Sequence, residues 1–344
     1  MNKRTDKAKA ACVIGFALAL GGLVSACGSP QPKESPVPPK PLTAEERVRW
    51  YQTCWTDFNE KKWDDLKTCY APIATSQQPG QGKPYLTGPD EIVAAWQDFE
   101  KSFPDIRGEG QLILINGNHI AGISLLKGTN TGLIFLPENK QISGTNKKIG
   151  LLFGHVVEID PLVTKVLKEN VVMDGVTLEN QLGLLKMAGR PLLDTGAVMP
   201  AIVIGKNDDT EMKNIEATKS WMEMWSKHDP AVFNVLANDA VIHDITRPKD
   251  MNKAESVNSD KGLWEAFSDL KLAASSMWAA GDYVVIAGTS DGTNDGDLPA
   301  VKLKKTGKKV SAPYIEIDRL RDDKIKEVWF FMDNANFISQ LAVK

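Results

Sequence analysis

The chain has 344 residues, 42% of them hydrophobic and 25% charged, which is enough for two domains with real cores and leaves no large disordered body. Its net charge of −3 at pH 7 offers a nucleic-acid backbone no electrostatic foothold, so no nucleic-acid partner is expected.

In chain order, Lys3, Arg4, Lys7 and Lys9 lead into an apolar run, Ala10–Val24, that stops at Ser25-Ala26-Cys27. Basic, apolar and small-residue regions in that order read as a secretory signal over residues 1–26. The run is too short for a good membrane-spanning helix. Leu23-Val24-Ser25-Ala26-Cys27 resembles the bacterial lipobox, which implies cleavage before Cys27 and a diacylglycerol on its thiol. The competing reading is an uncleaved signal anchor with a chance cysteine. A lipidated Cys27 makes the membrane a partner and places the protein at the cell envelope. With Gly28 next, the expected site is the outer membrane where the host has two. Residues 27–41, with prolines at 30, 32, 36, 38, 39 and 41, read as an extended tether. At about 3.1 Å per residue it reaches roughly 40 Å.

The first domain is expected over residues 42–198. Thr43-Ala44-Glu45-Glu46 has the spacing of a capping box, and Val48, Tyr51, Trp55 and Phe58 recur at helical intervals to about Asn59. A short second helix follows, with Trp63, Leu66 and Tyr70 on its buried side. This hairpin sets Cys54 before the turn and Cys69 after it. In an exported chain that favours a disulfide, against the alternative of two buried thiols. Such a bond is worth about 3 kcal/mol in the chain-entropy model. Gly88-Pro89 opens a third helix carrying Ile92, Trp96, Phe99 and Phe103. Strands are expected at 111–115, 119–126, 150–159 and 165–172, the first two joined by the hairpin signal Asn116-Gly117.

The pattern lapses from Leu184 to Asp209, where Ala201–Ile204 is a possible extra edge strand, and the boundary is placed near Met199. The second domain, 199–344, repeats the order. A helix bears Ile215, Met222 and Trp225, Asp229-Pro230 caps a short helix, and a third helix ends at Leu263, Trp264 and Phe267. Strands are expected around 241–242 and at 270–276, 283–288, 300–304, 310–317 and 324–331. The lysines between 302 and 309 read as the wet face of a hairpin turning at Thr306-Gly307. The two halves are copies. Gly128-Thr129-Asn130-Thr131-Gly132 recurs as Gly292-Thr293-Asn294-Asp295-Gly296, with Phe103 and Asp105 answered in register by Phe267 and Asp269. Asp174 precedes Gln181-Leu182 as Asp333 precedes Gln340-Leu341. Three helices before a meandering sheet make each copy α+β, with a sheet that curves around a cavity.

Phe267-Ser268-Asp269, Gly292-Thr293-Asn294, Gly307-Lys308-Lys309 and the run from Lys324 through Trp329 and Asp333 to Leu341 resemble the SnoaL-like polyketide cyclases of the nuclear transport factor two-like superfamily. The first copy matches through Phe103-Pro104-Asp105, Gly128–Gly132, Asp174 and Gln181-Leu182-Gly183. The resemblance implies two tandem cone-shaped α+β barrels, each with a pocket between three helices and a curved mixed sheet. It also implies a general acid/base Asp at the end of the last strand, here Asp174 and Asp333, assisted by a His where this chain has Asn130 and Asn294. An amide takes no proton near neutral pH, so the usual pairing is broken in both copies.

Bottom-up, Asp333 after Trp329-Phe330-Phe331-Met332 either sits in an apolar pocket with a raised pKa or caps the turn that follows. The second copy is favoured for chemistry, with Asn294 bonded to Asp333 and Trp329 beside it. His243-Asp244 is the only His next to a carboxylate at a position that could face the second pocket, and alternation lets just one of the two point inward. His119, His155, His228 and His243 show no metal-ligand spacing, and neither a metal nor a cofactor is expected. Two functions follow. One is a lipid-anchored binding protein whose pockets hold a small apolar or aromatic ligand or a protein partner. The other is a SnoaL-like enzyme of cyclase, isomerase or dehydratase type with a pocket Asp as general acid/base. The two domains either pack on each other or support dimerisation.

Overall fold

In the computed structural model of the chain, residues 40–80, 83–135, 141–196 and 198–342 are described; the signal, Cys27 and the tether as far as Pro39 lie outside them. The first copy runs α1 (Ala44–Asn59), α2 (Trp63–Thr68), β1 (Tyr70–Gln77), β2 (Leu86–Thr87), α3 (Gly88–Ser102), β3 (Arg107–Asn116), β4 (His119–Thr129), β5 (Ile134–Phe135), β6 (Gln141–Ile142), β7 (Lys148–Ile159), β8 (Val166–Met173) and α4 (Gly175–Leu182). Then come β9 (Ala201–Ile204), α5 (Asp209–Ser226), a 3₁₀ turn at Pro230–Asn234, β10 (Leu236–Asp244), β11 (Met251–Asn252), α6 (Lys253–Ala266), β12 (Lys271–Ala280), β13 (Tyr283–Thr293), β14 (Lys309–Arg321), β15 (Lys324–Met332) and α7 (Asn334–Leu341).

Local chemistry sets the helix ends. The Thr43 hydroxyl accepts from Glu46 N and the Glu46 carboxylate accepts from Thr43 N, a reciprocal cap that starts α1. Pro89, whose missing N–H costs nothing in a first turn, starts α3. A disulfide joins Cys54 in α1 to Cys69 just after α2, with the Cα atoms 6.2 Å apart, and fixes this helical hairpin over the sheet.

The strands form two mixed sheets, ordered β2-β1-β8-β7-β4-β3-β9 and β11-β10-β15-β14-β13-β12, with β5 and β6 a separate pair. In each, the strand after the helical hairpin runs parallel to the last long strand, β1 beside β8 and β10 beside β15, while the long meander is antiparallel. That is the α+β cone, built twice.

Alternation then divides the core. Ile113, Ile115, Phe153 and Val157 face the helices of the first cone, while Leu112, Leu114 and Val156 face away. Val284 and Ile286 face into the second cone, while Val285, Ile315, Ile317 and Phe331 face away. The outward residues of both sheets form one shared apolar layer, so the cones stand back to back. Both faces of the central strands are buried, which is why they read as nearly unbroken apolar runs.

Three local expectations need correction. Tyr70 opens β1 instead of closing α2, and that strand is hidden in the sequence by Pro72 and by a register irregularity between Tyr70 and Thr75. Residues 300–304 are not a strand. A 3₁₀ turn at Pro299–Val301 and a lone bridge between Leu298 and Leu303 take their place, so the lysines sit on a folded loop. Ala201–Ile204 is the expected extra edge strand, but it joins the first sheet, parallel to β3, so that sheet reaches past the boundary placed near Met199.

Candidate functional site

The two aspartates at the strand ends do not face the cone cavities. Asp174 caps α4: its Oδ2 accepts from Thr177 N (2.8 Å) and Thr177 Oγ1 (2.6 Å), while its Oδ1 accepts from Asn334 N of the second copy (3.1 Å). Asp333 caps α7, its Oδ1 accepting from Ala335 N (3.1 Å), Asn336 N (3.3 Å) and, from the first copy, Gly175 N (3.2 Å). Each copy thus lends its carboxylate to the helix start of the other. Burial pushes Asp174 up to about 6 and raises Asp333 as well, against the hydrogen bonds that favour their charged forms. The expected catalytic placement of Asp333 and Asp174 is corrected on this ground: both carboxylates cap helix starts at the domain junction, Asp174 through both oxygens and Asp333 through Oδ1.

The asparagines do not meet these aspartates either. Asn294 Nδ2 donates to the Ala266 and Gly296 carbonyls, and its Oδ1 accepts from Thr306 N and Oγ1. Asn130 makes the same set with Ser102 O, Gly132 O and Thr145. Both amides are therefore saturated braces between loops, not ligand contacts. His243 and Trp329 stack with ring centroids 5.1 Å apart on the outward side of the second sheet, with His243 Nδ1 2.9 Å from Asp250 Oδ2. Alternation resolves the His243-Asp244 choice in favour of Asp244, which lines the cavity.

That cavity lies inside the second cone and measures about 140 Å³. Trp221 and Trp225 of α5, Phe233 of the 3₁₀ turn, Leu263 of α6, Phe330 of β15 and Phe337 of α7 supply most of its wall. Into this apolar chamber project Asp244 from β10, Asp260 from α6 and Glu316 from β14. Asp244 is fully engaged: its Oδ1 accepts from Thr246 N and Oγ1, and its Oδ2 from Arg247 Nε (3.2 Å). Arg247 in turn donates to Ser259 Oγ at 2.6 Å. Glu316 is 3% exposed and Asp318, two residues on along the same face, is 0% exposed; apart from the hydrogen bond the two carboxyls share, Glu316 Oε1 and both Asp318 oxygens have no partner. Burial, then the neighbouring carboxyls, raises Glu316 well above the carboxylate range. Burial likewise brings Asp318 up to about 7. Burial brings Asp260 up to about 7, opposed by a hydrogen bond from Trp225 and by the Arg247 charge, with the Asp244 charge adding to the rise.

The first cone holds a cavity of only about 40 Å³ with different chemistry. His155 bridges Tyr51 and Glu169, its Nδ1 2.8 Å from the Tyr51 hydroxyl and its Nε2 2.7 Å from Glu169 Oε1. Tyr70 OH donates to the same oxygen at 2.9 Å and Ser76 Oγ to the other. Burial opposes the charge on Glu169, but the His155 hydrogen bond and charge with the Ser76 and Tyr70 donors outweigh it and hold the carboxyl below its usual range. This network is satisfied, and the space beside it suits a water or so. His155, Glu169, Asp260, Glu316 and Asp318 were not singled out from the sequence. The legible signal is in β14, where Glu316 and Asp318 interrupt an otherwise apolar run at alternate positions.

Among the described residues no group of His, Cys, Asp and Glu is placed to hold a metal ion, and no helix is long and apolar enough to cross a membrane.

Several solved structures are similar to this chain. AclR from Streptomyces galilaeus is 23% identical over 38% of this chain and 96% of its own, with a TM-score of 0.36. IdmH from Streptomyces antibioticus is 21% identical over 38% and 99%, with a TM-score of 0.34, and TsrD from Streptomyces laurentii is 17% identical over 40% and 98%, also at 0.34. No curated protein matches the chain. The SnoaL-like polyketide cyclase profile matches it twice, at residues 45–182 and 215–341, together most of its length. With two cones, each covered by one of these matches, the chain belongs to the SnoaL-like polyketide cyclase family.

Proposed function

We propose that the second domain is a binding chamber for a small, largely apolar molecule about one aromatic ring in size, carried by a protein that is exported and held at the cell envelope by lipid on Cys27. The observation that carries the reading is the aromatic-walled cavity of about 140 Å³, close to the roughly 150 Å³ that accommodates benzene in an apolar protein interior. The family's acid/base position is spent on helix capping at the domain junction, which favours binding over cyclisation. A second reading, proton transfer next to a carbonyl, is favoured by one observation. Asp260 titrates at about 7 inside the cavity, the range in which a carboxyl serves as acid and base at neutral pH.

Binding is tested by titrating the full chain with one-ring compounds and following the fluorescence of the wall tryptophans. Saturable binding is expected, and it should disappear in Ser256→Met, which fills the cavity from α6. Absence of saturable binding in a folded chain would remove the proposal. The anchor is tested separately: Cys27→Ser should leave the protein unprocessed or free of membranes, and unchanged mass and fractionation would exclude lipidation.

A further inference from the structure

The second cavity is unusual in the charge it leaves unanswered. Its acidic groups come from three elements: Asp244 ends β10, Asp260 lies on α6 and Glu316 lies on β14, with Asp318 behind Glu316 on the same strand. The cation on its wall is Arg247, and it is already committed to Asp244 and Ser259. Among the described residues no second cation lines the cavity: the Arg247 charge reaches Asp260 without pairing to it, and Glu316 has no cation beside it. Glu316 stands on the cavity wall, more than nine-tenths buried, and its carboxyl meets only the neighbouring Asp318 carboxyl, with no amide, hydroxyl or cation on Oε1. An unpaired buried carboxylate is strongly disfavoured in an apolar surrounding, and a neutral apolar guest would make that surrounding drier still. An anionic guest would add a like charge.

We propose that the ligand of this cavity is an organic cation: a body of about one ring carrying a single protonated nitrogen, with the nitrogen seated between Glu316 and Asp260. This rests on the binding reading above and specifies its chemistry. Charge-assisted hydrogen bonds from an ammonium to these carboxyls supply the partner that the fold withholds. The faces of Trp221, Trp225 and Phe330 offer the ring-to-cation attraction that favours such a guest over a neutral one of equal size. The volume limits the body to roughly one ring, since about 150 Å³ is filled by benzene.

Binding is then linked to protons. The groups facing Glu316 are Asp318 and Tyr314 from its own strand, Asp260 from α6, and Asp244 and Arg247 from β10 and the turn after it. Carboxyls that hold protons in the empty chamber release them when a cation arrives, whereas a neutral guest leaves them protonated.

The experiment compares benzylamine with benzyl alcohol, a near-isosteric neutral probe, on the full chain by calorimetry at about pH 7.5 in buffers of different ionisation heat. The amine should bind about ten-fold or more tightly than the alcohol and release on the order of one proton per molecule bound. Glu316→Gln keeps the shape of the protonated side chain and should reduce both the preference and the proton release. Equal affinities, tighter alcohol binding, or a preference unchanged in both Glu316→Gln and Asp260→Asn would overturn the cation assignment while leaving a binding chamber in place. If neither probe binds, the chamber and the cation fail together.

Discussion

Raising the pH from about 5 to 8 should destabilise this protein, the reverse of the usual behaviour of a fold held by paired carboxylates. Asp260, Asp318 and Glu316 all have folded-state values raised above those of an unfolded chain, chiefly by burial. Asp174 and Asp333 at the junction are raised too. Below about pH 4 both states hold these protons, so the stabilisation is complete. Between there and about 7 the unfolded chain has released protons that the folded chain still binds, and stability falls as pH rises. For Asp260 alone, a rise from 3.8 to about 7 corresponds to about 4 kcal/mol at roughly 1.4 kcal/mol per unit. Glu169 acts oppositely, because its lowered value loses stability on acidification. Urea midpoints measured across this range should decline with pH, and Asp260→Asn should flatten the slope by about one proton. A midpoint that is level or climbs would show that these acids are ionised and paired in the fold.

Phe331→Ala is expected to cost about 3–5 kcal/mol and to lower the melting of both domains together. Phe331 is 0% exposed on the outward side of β15, and its ring lies against Gly154 of the first sheet so closely that a Cβ there would come within 2.8 Å. The ring thus fills a recess that only a glycine leaves open. The adjoining aspartate gives a control. Asp333→Asn should be nearly neutral, since asparagine caps a helix as well as aspartate does, whereas Asp333→Ala should cost about 1–2 kcal/mol. Calorimetry decides this: a melt of Phe331→Ala in which one domain's transition is unchanged would mean that the shared layer does not couple them.

The repeat and most of the elements were legible because they rest on local signals: Thr43 and Glu46 around a helix start, Asn116-Gly117 between strands, and Pro89 in a first turn. What escaped depends on distant partners. The strand β1 is invisible with Pro72 inside it until β8 is beside it. Whether His243 or Asp244 points inward is decided by pairing with β15, which no local pattern reports. The same blindness applied to chemistry. Asp333 looked like a pocket base because it follows an apolar strand, but its Oδ1 is taken by the first backbone donors of α7 and by Gly175, 158 residues away. Glu316 and Asp318 carry no local signal of their own, because acids at alternate positions of a strand usually mark a solvated face. Here that face closes over a chamber, and the opposite face, which carries Ile315 and Ile317, is covered by the other copy.

The back-to-back sheets also govern traffic. Each chamber lies on the helix side of its own sheet, so the straight line between them crosses two hydrogen-bonded strand layers and the sealed apolar seam holding Leu114, Ala121, Ile315 and Phe331. Along that line, among the described residues, a molecule meets packed buried side chains. The small cavity of the first cone, with room for a water or so, is therefore no reservoir or exit for whatever occupies the second.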